Sequence, residues 1–596
     1  MKPKKTVGQA SRPVVGGAGP QPTGIPPMWA LVTVLVALTT VFWAYAPAMH
    51  GGFLFDDTFQ QFALPAASSP LASWIGPVRP VLMFSYWINS QISGQDTYSF
   101  HVFNVLFHCF TTFLIFAIVR RLVGRLTGLP NQTRDLLAAF AALVFLLHPA
   151  QTESVAYIAG RSESLSSLFA AAAYAIFLYR PRAAVSWVTS AALLSLFALA
   201  VFSKEQAIVL PALFLLTDVW LNPGQAFRAI RGNWRLYLPI AAVGLAAVAV
   251  FRNLIMSIGT GSGGGSAGFG MKDLTWYQYL FTQFRAVFVY IGTFLFPVHL
   301  TLDWDFPISK TILDHGSIIG LVVLAALAAA AWHFSRRFPL AALGYFVFLL
   351  LLSPTSSILP IRDPVAERRM YLPMLGLLLI LVDFLSRLTV HTKAPDRNRL
   401  AAACLVLLLV AAAVTHARAE VWSGPVPLWE DTVRKSPNKA RDRLQLALAY
   451  YDQGSFDRAS AEYQKAAELA PPDYNLLLDW ALAYDGLNQP EMALAKLQQA
   501  AAMEPTAHVY SQIGMVYGKR RQWKEAMEAL DMAEKIDPTF AMTYYYKGVV
   551  HLSLTDFTAA AAEFAKALVQ DPTLQPAREG LAQAQQAQRV QLRRKR

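Results

Sequence analysis

The sequence predicts an all-α protein in which a polytopic bundle of about eleven membrane helices is followed by an α-solenoid. Three observations predict this: the composition, the apolar runs of the first 417 residues, and a repeat of 33–34 residues beyond them. Hydrophobic residues make up 55% of the 596-residue chain and charged residues only 15%, whereas soluble globular proteins carry roughly 25% charged residues. Aromatic residues, at 12%, exclude a largely disordered chain.

Eleven apolar runs are long enough to cross a bilayer, which takes about 20 helical residues. The first run is expected to remain as an anchor, because it is too long and too poor in small residues for a cleaved signal peptide. A twelfth run, 276–298, carries Gln283 and Arg285 at its centre and is predicted to be a re-entrant or surface-lying helix on the outer side. The eleven runs are about 28–48, 100–119, 135–150, 164–179, 183–202, 206–221, 236–251, 316–334, 339–354, 370–386 and 399–417.

Lysine and arginine collect in the segments that face the cytoplasm if the N-terminus lies inside. These segments hold 18 basic residues in 75 positions, and the opposite segments hold 10 in 146. The positive-inside rule therefore predicts a basic cytoplasmic tail at 1–27, a membrane domain at 28–417 and an extracytoplasmic remainder. Much of the net charge of +13 lies in the two terminal tails, so it does not indicate nucleic-acid binding. A bacterial inner membrane is favoured over the endoplasmic reticulum.

The C-terminal third repeats with a period typical of the tetratricopeptide repeat (TPR), a helix–turn–helix unit of 34 residues. Residues 418–437 are predicted to be a linker and half-repeat cap, 438–572 four repeats, and 573–596 a capping helix with a basic tail. Such solenoids present a concave groove, although this one could also serve only folding or dimerisation. The repeating positions are Pro437, Pro471, Pro505, Pro538 and Pro572; Ala459, Ala493, Ala526 and Ala560; Ala466, Ala500, Ala533 and Ala567; and Tyr463, Leu497, Leu530 and Phe564. The tyrosines expected in the groove are Tyr450, Tyr451, Tyr484, Tyr517 and Tyr545.

Two adjacent carboxylates, Asp56 and Asp57, follow the first span directly. Charges this close to hydrocarbon are costly unless they are paired or used. They are therefore candidate catalytic residues, and the alternative is a solvated loop start or a helix N-cap.

Six cations depart from the charge bias on the same side of the membrane. A phosphate at headgroup depth is the simplest target that they share, although single cations there often snorkel or pair with a carboxylate. In the second outer loop, Glu153, Tyr157 and Arg161 are predicted to share one helical face. The cations are Arg79, Arg161, Lys204, Arg362, Arg368 and Arg369, and the supporting polar residues are Glu153, Glu205, Glu367, His101 and His148.

Seven phrases, in this order and followed by TPRs, resemble the transmembrane-and-TPR proteins of the GT-C class. That family includes the endoplasmic-reticulum O-mannosyltransferases with a lumenal TPR domain. The resemblance covers about residues 28–572, and the order of the phrases is more specific than any one of them. The phrases are FDD, RP before an aromatic run, HVFNVLFH, HPxxTExVAxIAGRxE, SKE, LTLDWDFP and VAERRMYLP.

The resemblance implies a GT-C-like catalytic domain that moves a sugar, by analogy mannose, from a polyprenyl phosphate to a hydroxyl of a protein acceptor recruited by the TPRs. It matches the catalytic acid of the first outer loop to Asp56 or Asp57, and we expect Asp56 to be the base of a single inverting displacement. Cations would stabilise the leaving phosphate, with Arg368 and Arg369 preferred and Arg161 and Lys204 as second choices.

Three other sequence features are weaker indicators of function. Gly259-Thr260-Gly261-Ser262-Gly263-Gly264 matches a dinucleotide-binding pattern but is expected to be a flexible loop, because it follows a membrane span rather than a strand. Asp303-Trp304-Asp305 could bind a divalent metal, which is not favoured, or could be a turn. The two cysteines, Cys109 and Cys404, lie in apolar runs and exclude a disulfide scaffold or a cysteine-ligated metal site.

Two other functions compete with a glycosyltransferase. A non-catalytic, membrane-anchored TPR scaffold for envelope assembly would explain the solenoid but not the outer charges. A lipid-linked sugar transporter would be expected to show broken spans and charges at the membrane midplane, whereas the ionisable residues here cluster at one surface.

Overall fold

The computed structural model describes residues 27–63, 70–181, 184–250, 252, 267–269, 271, 273–391 and 394–594. Within these ranges the chain is all-helical and contains no β-strand. It divides into two compact units, the first of which runs to residue 300 and continues over 308–420. The second comprises residues 301–307 and 421 onward. Residues 1–26 of the predicted tail at 1–27, and the glycine-rich motif at 259–264, lie outside the described residues.

The described part of the first unit consists of α-helices joined by turns, 3-10 segments and longer loops. Their labels and bounds are α1 Pro27–Tyr45, α2 Leu71–Trp74, α3 Pro80–Ser93, α4 Thr97–Leu126, α5 Asn131–Leu147, α6 Thr152–Ala156, α7 Arg161–Tyr179, α8 Trp187–Ser203, α9 Leu210–Leu221, α10 Ala226–Gly232, α11 Trp234–Val250, α12 Trp276–Leu295, α13 Ser317–His333, α14 Pro339–Leu352, α15 Met374–His391 and α16 Ala394–Glu420. A helix lies at each of the eleven predicted spans.

Four stretches of the described chain are helical, long and apolar enough to cross a membrane: Leu31–Ala48, Thr97–Leu126, Asp314–His333 and Asp396–Ser423. Helix α5 and the segment Pro149–Ala156, bent by 53°, would make a fifth if they form one broken span. Helices α8, α11 and α14 are apolar but shorter. These helices make the chain a membrane protein, and the number of eleven crossings stays a prediction.

The polar residues at the centre of helix α12 form hydrogen bonds with other residues of the first unit. The Gln283 amide donates to the Pro364 carbonyl at 3.0 Å, and the Arg285 guanidinium donates to the Ser309 hydroxyl at 2.7 Å. A helix that carries these groups is amphipathic rather than uniformly apolar, so one face packs against protein.

Two glycines let α14 and α15 pack at backbone contact. A Cβ added at Gly344 would lie 2.4 Å from the Gly376 carbonyl oxygen, and one added at Gly376 would lie 2.4 Å from that of Gly344. Small residues at such crossings are the usual means by which membrane helices approach closely.

The second unit is a TPR solenoid, as predicted. Its alanine columns are fully buried, and the large residue between them is at most 1% exposed, which shows that the period of the sequence is the period of the packing. Residues 418–420, predicted to be linker, belong to α16 instead. The helices are α17 Pro425–Lys435, α18 Ala440–Asp452, α19 Phe456–Leu469, α20 Tyr474–Gly486, α21 Pro490–Met503, α22 Ala507–Lys519, α23 Trp523–Ile536, α24 Ala541–Ser553, α25 Phe557–Gln570 and α26 Gln575–Arg594.

Residues 301–307 pack within the second unit. The Asp303 carboxylate accepts from Lys439 and Arg441, which hold its pKa below the usual range despite burial. The Asn438 amide donates to the Asp305 carboxylate at 3.0 Å. Of the two alternatives for the Asp-Trp-Asp motif, these contacts favour the turn, because its first carboxylate is already neutralised by two cations.

Candidate active site

A cavity of about 630 Å³ in the first unit collects side chains from five separate segments. They come from the 3-10 turn Phe55–Phe59 with Gln60, the stretch from the end of α2 through the first half of α3, the turn between α6 and α7 with the start of α7, the turn after α8, and the 3-10 turn Glu367–Met370. Four of the predicted site residues meet here. The polar residues lining the cavity are Asp56, Gln60, Arg79, Tyr157, Ser162, Lys204 and Arg368, and its aromatic residues include Phe59, Trp74 and Tyr86.

Asp56 is exposed to this cavity and is held at its backbone. Its amide donates to the Tyr157 hydroxyl at 3.0 Å, which joins the first outer loop to the second. The preceding residue, Phe55, has φ 47°, a left-handed conformation that is strained for a bulky side chain. Arg79, across the cavity, has φ 50°. Such strain clusters at functional sites, where the surrounding structure enforces it.

Asp57 points away from the cavity and is 1% exposed. Its carboxylate accepts from the backbone amides of Ala159, at 2.8 Å, and Leu54, at 3.1 Å. Burial raises the pKa of Asp57 to about 8, although these two donors oppose the shift. The side chain therefore braces the loop that presents Asp56.

Three cations line the cavity, and each is backed by a carboxylate outside the lining. Arg368 donates to Glu153 through its backbone amide at 2.8 Å and its guanidinium at 2.5 Å. Glu153 is fully buried and keeps the pKa of Arg368 above its usual range, against the effect of burial.

The other two cations follow the same design. Lys204 pairs with Glu163, which also accepts from Gln206, and burial lowers the pKa of Lys204 while Glu163 opposes the shift. Arg79 donates to Glu205 from Nε, in a bifurcated hydrogen bond to both carboxylate oxygens, and from Nη2, all at 3.0–3.2 Å. Because every cation has a fixed partner, the positive groups are oriented before any ligand arrives.

Arg161 does not line the cavity. It is 0% exposed, and its guanidinium donates to Asn104 at 2.8 Å, Asn89 at 2.7 Å and the Phe100 carbonyl at 3.0 Å. The guanidinium carbon also lies 4.5 Å from the centre of the Tyr86 ring. These contacts give Arg161 a structural position beneath the site rather than a place facing a phosphate.

The predicted common face of Glu153, Tyr157 and Arg161 is wrong. Helix α6 ends at Ala156, and a turn precedes α7. The turn is closed at Gly160, where an added Cβ would lie 2.6 Å from the Glu153 carbonyl oxygen. The Asn104 amide donates to the carbonyls freed by this break, including that of Tyr157 at 3.1 Å.

The remaining predicted cations also lie outside the lining. Arg369 is buried and donates to the Asp363 carbonyl at 2.6 Å and the Pro364 carbonyl at 3.0 Å, so it shapes the loop that carries Arg368. Arg362 is exposed.

Three supporting residues, His101, His148 and Glu367, are not among the residues that line the cavity. His101 contacts the Gly51 carbonyl at 3.2 Å through Nε2. His148 accepts from the Ala150 amide at 3.2 Å. Glu367 is 2% exposed, with a carboxylate oxygen 3.9 Å from the Arg418 guanidinium.

The groove tyrosines differ among themselves. Tyr450 is 4% exposed and is enclosed by Glu430, which accepts from its hydroxyl at 2.6 Å, and Arg458, which lies 4.0 Å from its ring centre. It is therefore part of the packing at the start of the solenoid, which corrects its placement in an open groove. Tyr451, Tyr484, Tyr517 and Tyr545 are half-buried.

Sequence reasoning did not include Glu163, Gln206 or Tyr157 among the candidate site residues. Glu163 and Tyr157 lie within the HPxxTExVAxIAGRxE phrase, and Gln206 follows the SKE phrase. Their places in or beside these phrases could have indicated that they belong to the site. Their roles depend on contacts between segments more than 40 residues apart, which a linear pattern does not contain.

Comparison with known proteins gives two kinds of match. Models of the tetratricopeptide repeat match residues 443–473 and 511–574. A protein O-mannosyl-transferase of Caenorhabditis elegans is 23% identical over 470 residues, covering 74% of this chain and 62% of that protein. Protein O-mannosyl-transferase TMTC3 of Mus musculus is 20% identical over 610 residues, covering 91% of this chain and 64% of that protein.

Protein O-mannosyl-transferase TMTC4 of Homo sapiens is 26% identical over 512 residues, covering 74% of this chain and 66% of that protein. The chain therefore spans somewhat under two thirds of the length of these relatives. The matches confirm the resemblance to O-mannosyltransferase-like proteins with TPRs.

Proposed function

We propose that the protein is a membrane glycosyltransferase that moves a sugar from a polyprenyl-phosphate donor to a hydroxyl of a protein acceptor. The sugar we propose is mannose, by analogy with the protein's relatives. One observation carries the proposal: an exposed carboxylate, Asp56, lines the same cavity as three oriented cations. A base and a set of phosphate-binding cations are the two requirements of this transfer. The names of the relatives supply the sugar and the protein acceptor.

In the proposed reaction, the acceptor oxygen forms a bond to the anomeric carbon as the bond from that carbon to the phosphate oxygen breaks. Asp56 takes the proton of the acceptor hydroxyl. Arg368, Lys204 and Arg79 stabilise the charge that develops on the leaving polyprenyl phosphate. A single displacement of this kind inverts the anomeric centre.

The two aspartates provide the sharpest test. Asp56→Asn should lower sugar transfer by about 10²–10⁴-fold, the usual contribution of a general base, with thermal stability unchanged. Asp57→Asn should keep its activity per folded molecule but lose about 1–3 kcal/mol of stability, because one backbone amide loses its acceptor. Asp96→Asn is the matched control, since Asp96 is an exposed outer-loop carboxylate that caps α4.

The assay would use the purified chain in detergent with radiolabelled polyprenyl-phosphate mannose and extracytoplasmic protein extract, and would follow label in polypeptide. Full transfer by the Asp56→Asn variant would rule out Asp56 as the base. If that variant also kept its function in cells, the scaffold would be the better explanation. Label in glycolipid alone would overturn the protein acceptor.

Two arginines of one loop test the phosphate-binding part. Arg368→Ala should reduce transfer per folded molecule by about 10²–10³-fold, as the loss of one oriented group in a water-poor site does. Arg362→Ala, six positions away and exposed, should change it less than twofold. Equal effects would contradict a specific place for Arg368.

The proposal requires Asp56 and the solenoid, which we expect to recruit the acceptor, to lie on the same extracytoplasmic side. The charge bias supports this orientation, with the N-terminus in the cytoplasm of a bacterial cell. Reporter fusions after residue 60 and at the C-terminus should report one compartment, and fusions reporting opposite faces would refute the arrangement.

A further inference from the structure

A second polar cavity, of about 340 Å³, lies in the first unit among the ends of α4, α7 and α9 and the helix α10. Three arginines line it, and the described residues that line it include no carboxylate. Its lining residues include Arg125, Arg180, Asn222, Gln225, Arg228 and Ala229. The cavity takes no part in the proposed transfer.

Arg180 is fixed in the wall of this cavity. It donates to the Asp218 carboxylate at 2.8 Å and to the Phe177 carbonyl at 2.6 Å. Asp218 also accepts from Asn233 at 2.6 Å and Tyr237 at 2.8 Å. The one nearby carboxylate among these contacts is thus saturated, which leaves a net positive cavity once Arg125 and Arg228 are counted.

Arg125 and Arg228 line the cavity, are exposed, and come from different helices, α4 and α10. Arg228 also donates to Gln225 at 3.3 Å. Two guanidinium groups converging on a concave polar surface suit a phosphate oxyanion, which accepts bidentate hydrogen bonds.

The cavity lies at the opposite ends of the helices from the candidate active site. Asn104, which contacts the turn beside Asp56, and Arg125 are 21 residues apart on the single helix α4. At 1.5 Å per residue this is about 32 Å, which matches the roughly 30 Å thickness of the hydrocarbon layer. If the active site lies at one headgroup layer, the second cavity lies at the other.

Exposed aromatic residues lie within three positions of the lining residues along the chain, and we call Trp187, Trp234 and Phe227 the aromatic rim. Trp187 and Trp234 are 56% and 45% exposed and meet edge to face at 5.4 Å. Phe227, beside Arg228 on α10, is 78% exposed. Tryptophans concentrate at the membrane–water interface, and a short helix presenting a phenylalanine with arginines is suited to lie there.

We propose that this cavity binds the phosphate of an anionic phospholipid headgroup in the leaflet opposite to the candidate active site. The aromatic rim favours a lipid over a soluble phosphate, because it places the opening at headgroup depth. Basic pockets between membrane helices on the cytoplasmic side are known to accept such headgroups.

Thermal unfolding of the full chain in neutral detergent tests the proposal. Phosphatidylglycerol should raise the melting temperature more than phosphatidylcholine does, and millimolar inorganic phosphate should not reproduce the effect. Arg125→Ala with Arg228→Ala should weaken the lipid response about thirtyfold in lipid concentration, at roughly a factor of five per arginine near the surface. The matched control is Arg231→Ala with Arg397→Ala, which removes two exposed arginines that do not line the cavity.

A second variant separates the cavity from its charges. Ala229→Trp keeps every arginine but fills the space, and it should lose the phosphatidylglycerol response as well. Equal responses in the cavity and control double variants, or an unchanged response in Ala229→Trp, would overturn the proposal. An equal shift with inorganic phosphate would overturn the lipid assignment. Sugar transfer by all of these variants should stay at the level of the unaltered chain, since none of the residues belongs to the active site.

Discussion

The cavity around Asp56 and the TPR solenoid are built on opposite plans. The solenoid repeats one packing unit, and each of its alanine columns contacts neighbours close in sequence. The cavity joins five segments that are separated by up to about 300 residues and is fixed by buried polar contacts such as those of Arg161 and Glu153. A substitution in the solenoid should therefore destabilise only the neighbouring helices, whereas a substitution among the buried polar residues beneath the cavity should destabilise the whole first unit.

The largest effect is expected at Arg161. Arg161→Ala leaves Asn89, Asn104 and the Phe100 carbonyl without their donor inside a buried site, which should cost about 3–5 kcal/mol. The measurement is thermal unfolding in detergent, together with the yield of folded protein. Arg362→Ala, at an exposed position, is the control. A loss of less than 1 kcal/mol at Arg161 would mean that the cluster does not hold the unit together.

Truncation of a buried side chain to alanine in the solenoid should have a more local effect. Leu530 is fully buried and packs with Ala526, Val550 and Tyr517, so Leu530→Ala should cost about 2–4 kcal/mol. Because repeats contact only their neighbours, faster hydrogen exchange should be confined to the helices around α23.

Met532→Ala, on the same helix and 43% exposed, is the matched control for the solenoid. Faster exchange in α4 or α7 of the Leu530→Ala variant would contradict the local plan.

The same contrast explains what the sequence could predict. Spacing alone predicted the solenoid, because Ala493 and Leu497 hold the same places in each repeat and local packing repeats with them. It also predicted a helix at each apolar run. Convergence of Asp56 with Arg79, Lys204 and Arg368 was expected from sidedness, and the structure brings these four together.

The sequence did not predict the surroundings of Arg161, Asp57 and Tyr450, because these depend on side-chain orientation and on contacts between distant segments. Arg161 and Arg368 look alike in sequence, but one is enclosed by aromatic rings and asparagines while the other reaches the cavity. Asp57 differs from Asp56 only by the turn that directs it inward. Similarly, Tyr450 occupies a repeat position, yet Glu430 and Arg458 of neighbouring helices enclose it.

A pH-dependent effect is expected at the start of the solenoid. Asp442 is fully buried, and burial together with the charge of Asp303 raises its pKa. The folded state therefore retains a proton that the unfolded chain releases near the ordinary carboxyl pKa. Stability from this group is complete at acidic pH and falls by up to about 1.4 kcal/mol per pH unit as pH rises from there toward the raised pKa.

Asp442→Asn should remove this pH dependence. The variant should therefore be more stable than the unaltered chain at pH 8, and the difference between the two should be smaller at pH 5. Melting curves of the two forms at both pH values would show it, with Asp457→Asn, an exposed carboxylate on α19, as the control. Parallel pH profiles for Asp442→Asn and the unaltered chain would contradict the raised pKa.

The smallest effect on stability is expected at the rim of the cavity, where Arg79 pairs with Glu205. Their side chains are 36% and 63% exposed, and exposed ion pairs contribute at most about 1 kcal/mol. Glu205→Gln should thus lower the melting temperature only slightly, whereas Glu153→Gln, at a fully buried partner of Arg368, should lower it by several times more. If the two substitutions were equally costly, burial would not be what separates the rim of the cavity from its base.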